Sequence, residues 1–388
     1  MADSIPLSVY AHIPWCVRKC PYCDFNSHAL TDDVDQAGYV GSLLRDLEIQ
    51  LGDASGKLPV AESLFIGGGT PSLFGGAAIA QLVEGIDRLL GFAPAAEITL
   101  EANPGTAEAA RFSDYRAAEV NRLSIGVQSL DDNRLAALGR IHDASEALAA
   151  ARIARRAGFD NLNLDLMYGL PGQDVAAALD DLRGVLALEP SHLSWYQLTL
   201  EPNTWFHHRP PPGLPDEDGL ADIMDAGQAL IAAAGFVQYE VSAYAREGRR
   251  CRHNLNYWGF GDYLGIGAGA HGKLTGGAGT VIRTTRPRQP AAYSRAVANG
   301  EAAQRSPVPA AELPLEFMLN ALRMNEGVAA SWFTARTGLP GTAVSTPIAQ
   351  ARARGLLDPD PLWIRPTPLG QRFLNDLLVL FEPKEQPA

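Results

Sequence analysis

Short apolar, β-branched runs recur along the first 235 residues, separated by amphipathic stretches of helical length. The runs predict strands over 7–14, 63–69, 97–102, 122–129, 161–168 and 192–200. The stretches between them predict helices over about 33–52, 76–91, 106–118, 144–157, 173–187 and 217–234. A strand followed by a crossover helix, repeated six times, is how a parallel sheet is built. The expected fold class is therefore α/β, with residues 1–235 as the core. A polar loop bearing Gly or Pro follows each strand: WCVRKCPYC, GGTPS, NPGT, SLDD, GLPGQ and EPNT. Parallel barrels and open parallel sheets both bind ligands at the carboxyl ends of their strands, so these six loops should converge on one site.

Beyond residue 235 the pattern changes. Residues 236–306 hold short strand-like pieces, a basic run (Arg246, Arg249, Arg250 and Arg252) and the Gly-rich GIGAGAHG with His271. This stretch reads as an extension covering the mouth of the core. The Pro-bearing RSPVPAAELP then leads into a helix-rich, winged-helix-like unit over 307–388, where LEFMLNALRM has helical spacing.

Composition narrows the classes. With 44 acidic against 32 basic residues the net charge is −12, which opposes nonspecific contact with nucleic acid or an anionic membrane. No nucleic-acid partner is expected. Residues 1–14 carry no Lys or Arg, and no apolar run approaches the roughly 18 residues of a membrane span, so a cytoplasmic location is expected, at a membrane only through partners. Homodimerisation stays open.

Four cysteines in 388 residues make no disulfide scaffold, yet three of them, Cys16, Cys20 and Cys23, follow the first strand in a CxxxCxxC loop. Thiolates that close repel one another unless a cation holds them. A Cys3His zinc site completed by His12 or His28 is one reading, and buried thiols are another. The third is a 4Fe-4S cluster, normally held by four cysteines, here with one iron left open for a ligand. The other loops carry polar residues near strand ends. Gly67, Gly68, Gly69 and Thr70 allow close backbone approach to a ligand or form a tight turn. Glu101, Gln128 and Asp165 either meet a ligand or are satisfied by backbone, and Arg140 either pairs with a carboxylate or lies on the surface.

The CxxxCxxC loop after the first strand of a βα series resembles the radical S-adenosylmethionine (SAM) enzymes. That resemblance implies a partial (β/α)6 barrel, a 4Fe-4S cluster on Cys16, Cys20 and Cys23, SAM on the open iron, and an electron donor for the cluster. In that family one electron passed to the sulfonium yields a 5′-deoxyadenosyl radical. The wording of VYAHIPWCVRKCPYCDF, FIGGGTPS, EANPGT, RLSIGVQSLDDNRLAALGRIH, DLMYGLPGQ, YEVSAYA, HNLNYW and GIGAGAHG is similar to the oxygen-independent coproporphyrinogen III dehydrogenase (HemN-like) family over residues 8–380. By that resemblance Tyr10 lies against the cluster and SAM. Gly68, Gly69, Thr70, Glu101, Gln128, Arg140 and Asp165 contact SAM, with Thr199 a weaker carry-over.

Two branches of the family differ. The dehydrogenase pattern has a further cysteine two residues after the third, and a long N-terminal extension. Here Asp24 and Phe25 follow Cys23 and the cluster strand starts near residue 7. His253-Asn254-Leu255-Asn256-Tyr257-Trp258 matches the HNxxYW signature of the haem-chaperone (HemW) branch. The resemblance implies haem as cargo and haem-acceptor proteins, among them membrane respiratory enzymes, as partners. His253 or Cys251 would ligate iron, Tyr257 and Trp258 would face the porphyrin, and Arg246, Arg249, Arg250 and Arg252 would pair with propionates. A hydrogen-bonded turn with an inert Cys251 thiol is the plainer alternative. The competing activities are decarboxylation of coproporphyrinogen III to protoporphyrinogen IX, and a zinc-stabilised interaction module.

Overall fold

The structure, a computed structural model, describes residues 5–30, 33–54, 56–301 and 303–383. The outermost residues of the 1–235 and 307–388 units, 1–4 and 384–388, lie outside them. Among the described residues twelve strands form one sheet: β1 Leu7–Ile13, β2 Ala61–Gly68, β3 Phe92–Ala102, β4 Arg122–Gln128, β5 Asn161–Tyr168, β6 His192–Gln197, β7 Val237–Glu240, β8 Ala243–Ala245, β9 Asp262–Ile266, β10 His271–Thr275, β11 Val281–Thr285 and β12 Gln304–Pro307. Their order is β12-β11-β10-β9-β1-β2-β3-β4-β5-β6-β8-β7. Strands β1 to β6 pair in parallel, in sequence order.

The residues alternate strictly along β3 to β6. Ile98, Leu100, Leu123, Ile125, Leu162, Leu164, Leu193 and Trp195 pack outward into one core with the helices. Between them Glu101, Arg122, Ser124, Asn163, Asp165, Ser194 and Tyr196 line a single internal cavity. Inward faces of several parallel strands can meet around one cavity only if the sheet curves, so β1 to β6 form a partial barrel. Its lumen is polar, where a closed (β/α)8 barrel fills the same space with branched apolar side chains.

Several boundaries differ from expectation. The strand β3 begins at Phe92, β6 ends at Gln197, and the helix expected over 106–118 is two, Thr106–Ala109 and Phe112–Ala117. Arg111 sits at the break and donates to the carbonyls of Ser72 (2.8 Å) and Leu73 (3.0 Å). The 236–306 stretch joins the main sheet at both edges. Strand β9 adds a seventh parallel strand beside β1, and β8 adds antiparallel to β6. Leu264, Ile266, Ala268, Tyr293 and Val297 belong to the same hydrophobic core as β1 to β6. Phe317, Phe333, Leu357, Ile364 and Leu377 build a second core in the C-terminal unit, into which Phe260 and Val281 reach.

Candidate functional site

The cysteine loop is shaped by its own ends. Trp15 and Cys16 pair in parallel with His28 and Ala29, and the amides of His28 and Leu30 donate to the carbonyls of Pro14 and Cys16 at 2.7 and 2.9 Å. The loop so closed turns Cys16, Cys20 and Cys23 into the lumen cavity, about 360 Å³ in volume. Burial pushes the Cys16 and Cys23 thiols up, so those two persist as thiolates there only beside a cation. His12 is spoken for: its Nε2 meets the Asn26 carbonyl at 2.8 Å and its Nδ1 the Tyr10 hydroxyl at 2.9 Å. His28 Nε2 meets the carbonyl of Arg288 at 3.1 Å. Among the described residues no fourth protein donor is at hand, so the three thiols fit a multi-iron cluster with one open iron and fit a Cys3His zinc site poorly.

The glycine loop passes directly beneath. Gly68 has φ +116°, and a Cβ there would lie 2.6 Å from the His12 ring; at Gly69 a Cβ would lie 2.5 Å from the Trp15 carbonyl oxygen. No larger residue fits either position. The Gly68 amide donates to Glu101 Oε2 at 3.1 Å, and Asn103 Nδ2 donates to Thr70 Oγ1 at 3.0 Å. Burial, then repulsion from Asp165, pushes the Glu101 carboxyl up to about 8. Asp165, itself raised by burial, accepts from Ser124 and Asn163. Two half-buried carboxyls facing one cavity suit a cationic or polyhydroxylated ligand.

Gln128 is placed by strain. Its φ is +69°, at a bulge where the register between β4 and β5 slips, which costs about 1 kcal/mol for a residue with a side chain. The bulge turns Gln128 into the cavity, where Oε1 accepts from the Tyr196 hydroxyl at 2.8 Å. Arg140 is half-buried: its guanidinium lies 3.8 Å from Cys20 Sγ and donates to Asn103 Oδ1 (2.7 Å) and the Gly126 carbonyl (3.1 Å).

A second cavity, about 790 Å³, adjoins the first across Phe25, Gly68 and Glu101, which line both. The helix Arg252–Trp258, carrying HNxxYW, approaches it from the amino ends of the strands: Asn256 Nδ2 donates to Ser8 Oγ at 2.9 Å, and the Arg252 amide to Glu97 Oε1 at 2.9 Å. His253 reaches the wall, in a lining shared with Tyr10, Tyr257, Tyr263, His271, Arg286 and Arg288. Burial, then the field of Arg122, lowers the His253 imidazole to about 4, so it is neutral at physiological pH.

The amino acids at this site point the same way as comparisons of the whole chain. Residues 10–183 match the Radical SAM superfamily and residues 308–373 the HemN C-terminal domain. The heme chaperone HemW of Escherichia coli K12 is 50% identical over 376 residues, covering 97% of this chain and 98% of the relative. The chain belongs to the HemW family. HemW of Haemophilus influenzae is 48% identical across 98% of this chain and 99% of its own. A bovine relative, radical S-adenosyl methionine domain-containing protein 1, mitochondrial, is 39% identical across 83% of this chain and 74% of its own. The E. coli coproporphyrinogen III oxidase HemN superposes with a TM-score of 0.80 over 97% of this chain and 90% of that one; at 24% identity this speaks for the fold.

In this chain Cys16, Cys20, Cys23, Gly68, Gly69, Thr70, Glu101, Gln128, Arg140, Asp165 and Cys251 gather around the first cavity, and Tyr10, His253 and Tyr257 around the second. Other expected residues lie elsewhere. Thr199 lines a separate cleft beside Met224 and Arg372. Trp258 lies under the Arg323 guanidinium, 4.3 Å from its ring centroid, and faces neither lumen cavity. Cys251 lines the first cavity and not the second; it is wholly buried, its thiol donates to Glu97 at 3.4 Å, and burial pushes it up to about 12, which does not suit a thiolate ligand. The four expected propionate partners do not face the second cavity. Arg246 covers Phe236, Arg250 pairs with Glu326, Arg252 donates to Ala95, and Arg249 is exposed. Arg286 and Arg288 stand there instead. Sequence reasoning also missed Arg122, Asn103 and Tyr196; the polar-apolar alternation of RLSIGVQ and HLSWYQ was the available signal.

Among the described residues, no helix is long and apolar enough to cross a membrane.

Proposed function

We propose that this protein binds haem in the second lumen cavity and delivers it to haem-requiring proteins. In this reading Cys16, Cys20 and Cys23 hold a 4Fe-4S cluster, and SAM occupies the first cavity against Glu101, Gln128, Arg140 and Asp165. The observation that carries the reading is His253, a neutral imidazole at the wall of a cavity of about 790 Å³ whose lining also holds Tyr10, Phe25, Tyr257 and Tyr263, together with Arg288 and the buried Arg286. The heme-chaperone relatives, near 50% identical end to end, support the same assignment.

The cluster, when bound, supplies a single electron to the SAM sulfonium. The chain's own residues orient and shield. Gly68 and Gly69 let the backbone approach the nucleoside, Arg140 offers a guanidinium for its carboxylate, and the carboxyls of Glu101 and Asp165 face its cationic and hydroxyl groups. Tyr10, hydrogen-bonded to His12, lies 6.1 Å ring to ring from His253 and couples the haem wall to the cluster loop through Asn26.

Haem titration of anaerobically purified, cluster-loaded protein, followed by transfer to an apo-acceptor protein, tests the reading. A saturable Soret band that His253→Ala weakens, and that moves to the acceptor, is expected. Formation of protoporphyrinogen from coproporphyrinogen III by the reduced, SAM-supplied protein would replace this reading with the dehydrogenase one.

A further inference from the structure

Most lumen-facing polar groups of β5 and β6, and Glu97 of β3, are satisfied by neighbours. Asn163 donates to Ser124 and Asp165 at 2.7 and 2.8 Å and accepts from His192 and Ser194 at 2.6 and 3.1 Å. His192 Nε2 meets the Tyr239 hydroxyl at 2.9 Å, and Glu97 accepts from the Arg252 amide and the Cys251 thiol. Among the described residues the other buried cations have partners: Lys273 pairs with Asp262 at 2.9 Å, Arg286 with Asp46 at 3.1 Å, and Arg336 donates to the Gly259 carbonyl.

Arg122 is different. Its side chain is 2% exposed and lines the first cavity, yet among the described residues its Nε has no hydrogen-bond partner and its guanidinium forms no ion pair. Glu97 and Asp165 act on it only through space. An arginine cannot escape this cost by losing its proton, and burying an unpaired charge is among the most expensive arrangements in a protein interior. Such a fork of donors, held open toward a cavity, matches a carboxylate bidentately.

We propose that Arg122 is the receptor for a carboxylate of a ligand entering the lumen. Arg140 is not a rival for that group: it donates to Gly126, four residues along β4 and so about 13 Å away, at the cluster end. SAM seated at the cluster leaves Arg122 free. Its field reaches His253, and the two cavities join at Phe25, Gly68 and Glu101, so a propionate of a porphyrin held at His253 has a path to it. That source rests on the haem reading above; a small free carboxylate is the other.

Cluster-loaded protein, with Arg122→Gln and Arg122→Met, is titrated anaerobically with haem and with haem dimethyl ester. In parallel, thermal midpoints are taken in sodium propionate and in sodium chloride at equal ionic strength. Arg122→Met removes the unpaired charge for an apolar side chain and should fold at least as well, which separates loss of binding from loss of fold. The parent protein is expected to prefer haem to its ester about tenfold, and both variants to lose the preference. If the ester binds equally but propionate protects only the parent, the receptor stands with a free carboxylate as occupant. If neither ester discrimination nor propionate protection depends on Arg122, the inference is overturned. Should the parent bind no haem at all, the proposed function fails, and the propionate comparison alone decides the role of Arg122.

Discussion

The imidazole of His253 lies against the ring of Phe65, centroids 4.9 Å apart and planes at 32°. That contact seats the HNxxYW helix on β2, the strand that runs into the glycine loop under the cysteines. One histidine therefore shares a wall with both cavities, and changes at either end of the lumen should be felt at the other.

Replacing His253 by Ala removes a neutral nitrogen donor and opens space beside Phe65. Haem affinity is expected to fall at least about tenfold, the size of one lost directed interaction of some 1.4 kcal/mol, with a shifted Soret maximum. An unaltered titration and spectrum would remove His253 from the haem site.

Acid should destabilise the protein through the same residue. Burial lowers the His253 imidazole from 6.5 to about 4, so the unfolded chain takes up a proton before the folded one does. The stability is complete above pH 6.5 and drains away as pH falls toward 4, by about 3 kcal/mol at most for this group. His142, also lowered to about 4 by burial and then by Arg140, adds to the same slope. Urea midpoints at pH 7 and pH 5 should differ less in His253→Gln than in the parent.

Glu101 works in the opposite direction. Its carboxyl, raised from 4.5 to about 8, stays protonated in the folded protein where the unfolded chain has ionised. The stability it contributes is present in full below pH 4.5 and is lost as pH rises through 8. A cationic ligand gains from the ionised form, so SAM affinity measured by equilibrium dialysis should climb between pH 6.5 and 8.5. Glu101→Gln should flatten that climb.

Cluster assembly should depend on each thiol. Cys20→Ser leaves two protein ligands for four irons, and iron and sulfide content after anaerobic reconstitution should drop close to background. Retention of parental iron and sulfide would mean that Cys20 is no ligand.

Gly69→Ala tests the close approach of the glycine loop. The added methyl would lie 2.5 Å from the Trp15 carbonyl oxygen, backbone against backbone, so the loop must move. A loss of about 2 kcal/mol in denaturant unfolding, together with reduced cluster content, is expected. Gly341→Ala is the matching control, since its φ, like that of Gly69, lies outside the left-handed region and nothing lies within 4 Å of a Cβ there.

The cysteine spacing, the βα rhythm and the glycine loop were legible because each is local: covalent spacing alone sets which residues share a turn or a strand face. The lumen was legible too, in the alternation of polar and apolar residues along RLSIGVQ and NLNLDL, though a search for continuous apolar strands passes over it. The basic run at 246–252 misled for a physical reason. Closeness along the chain placed those arginines beside HNxxYW, while the pairing of β8 between β6 and the edge strand β7, and the turn after it, send them to Phe236, Glu326 and Ala95.

By itself the sequence determined that a trio of thiols would stand at the end of the first parallel strand, because a run of eight residues cannot hold them apart. Only the tertiary structure decided which cations share the lumen. Arg122, Arg286 and Arg288 arrive there through strand order and through the antiparallel return of β10 and β11, relationships between distant segments that neither composition nor local spacing encodes.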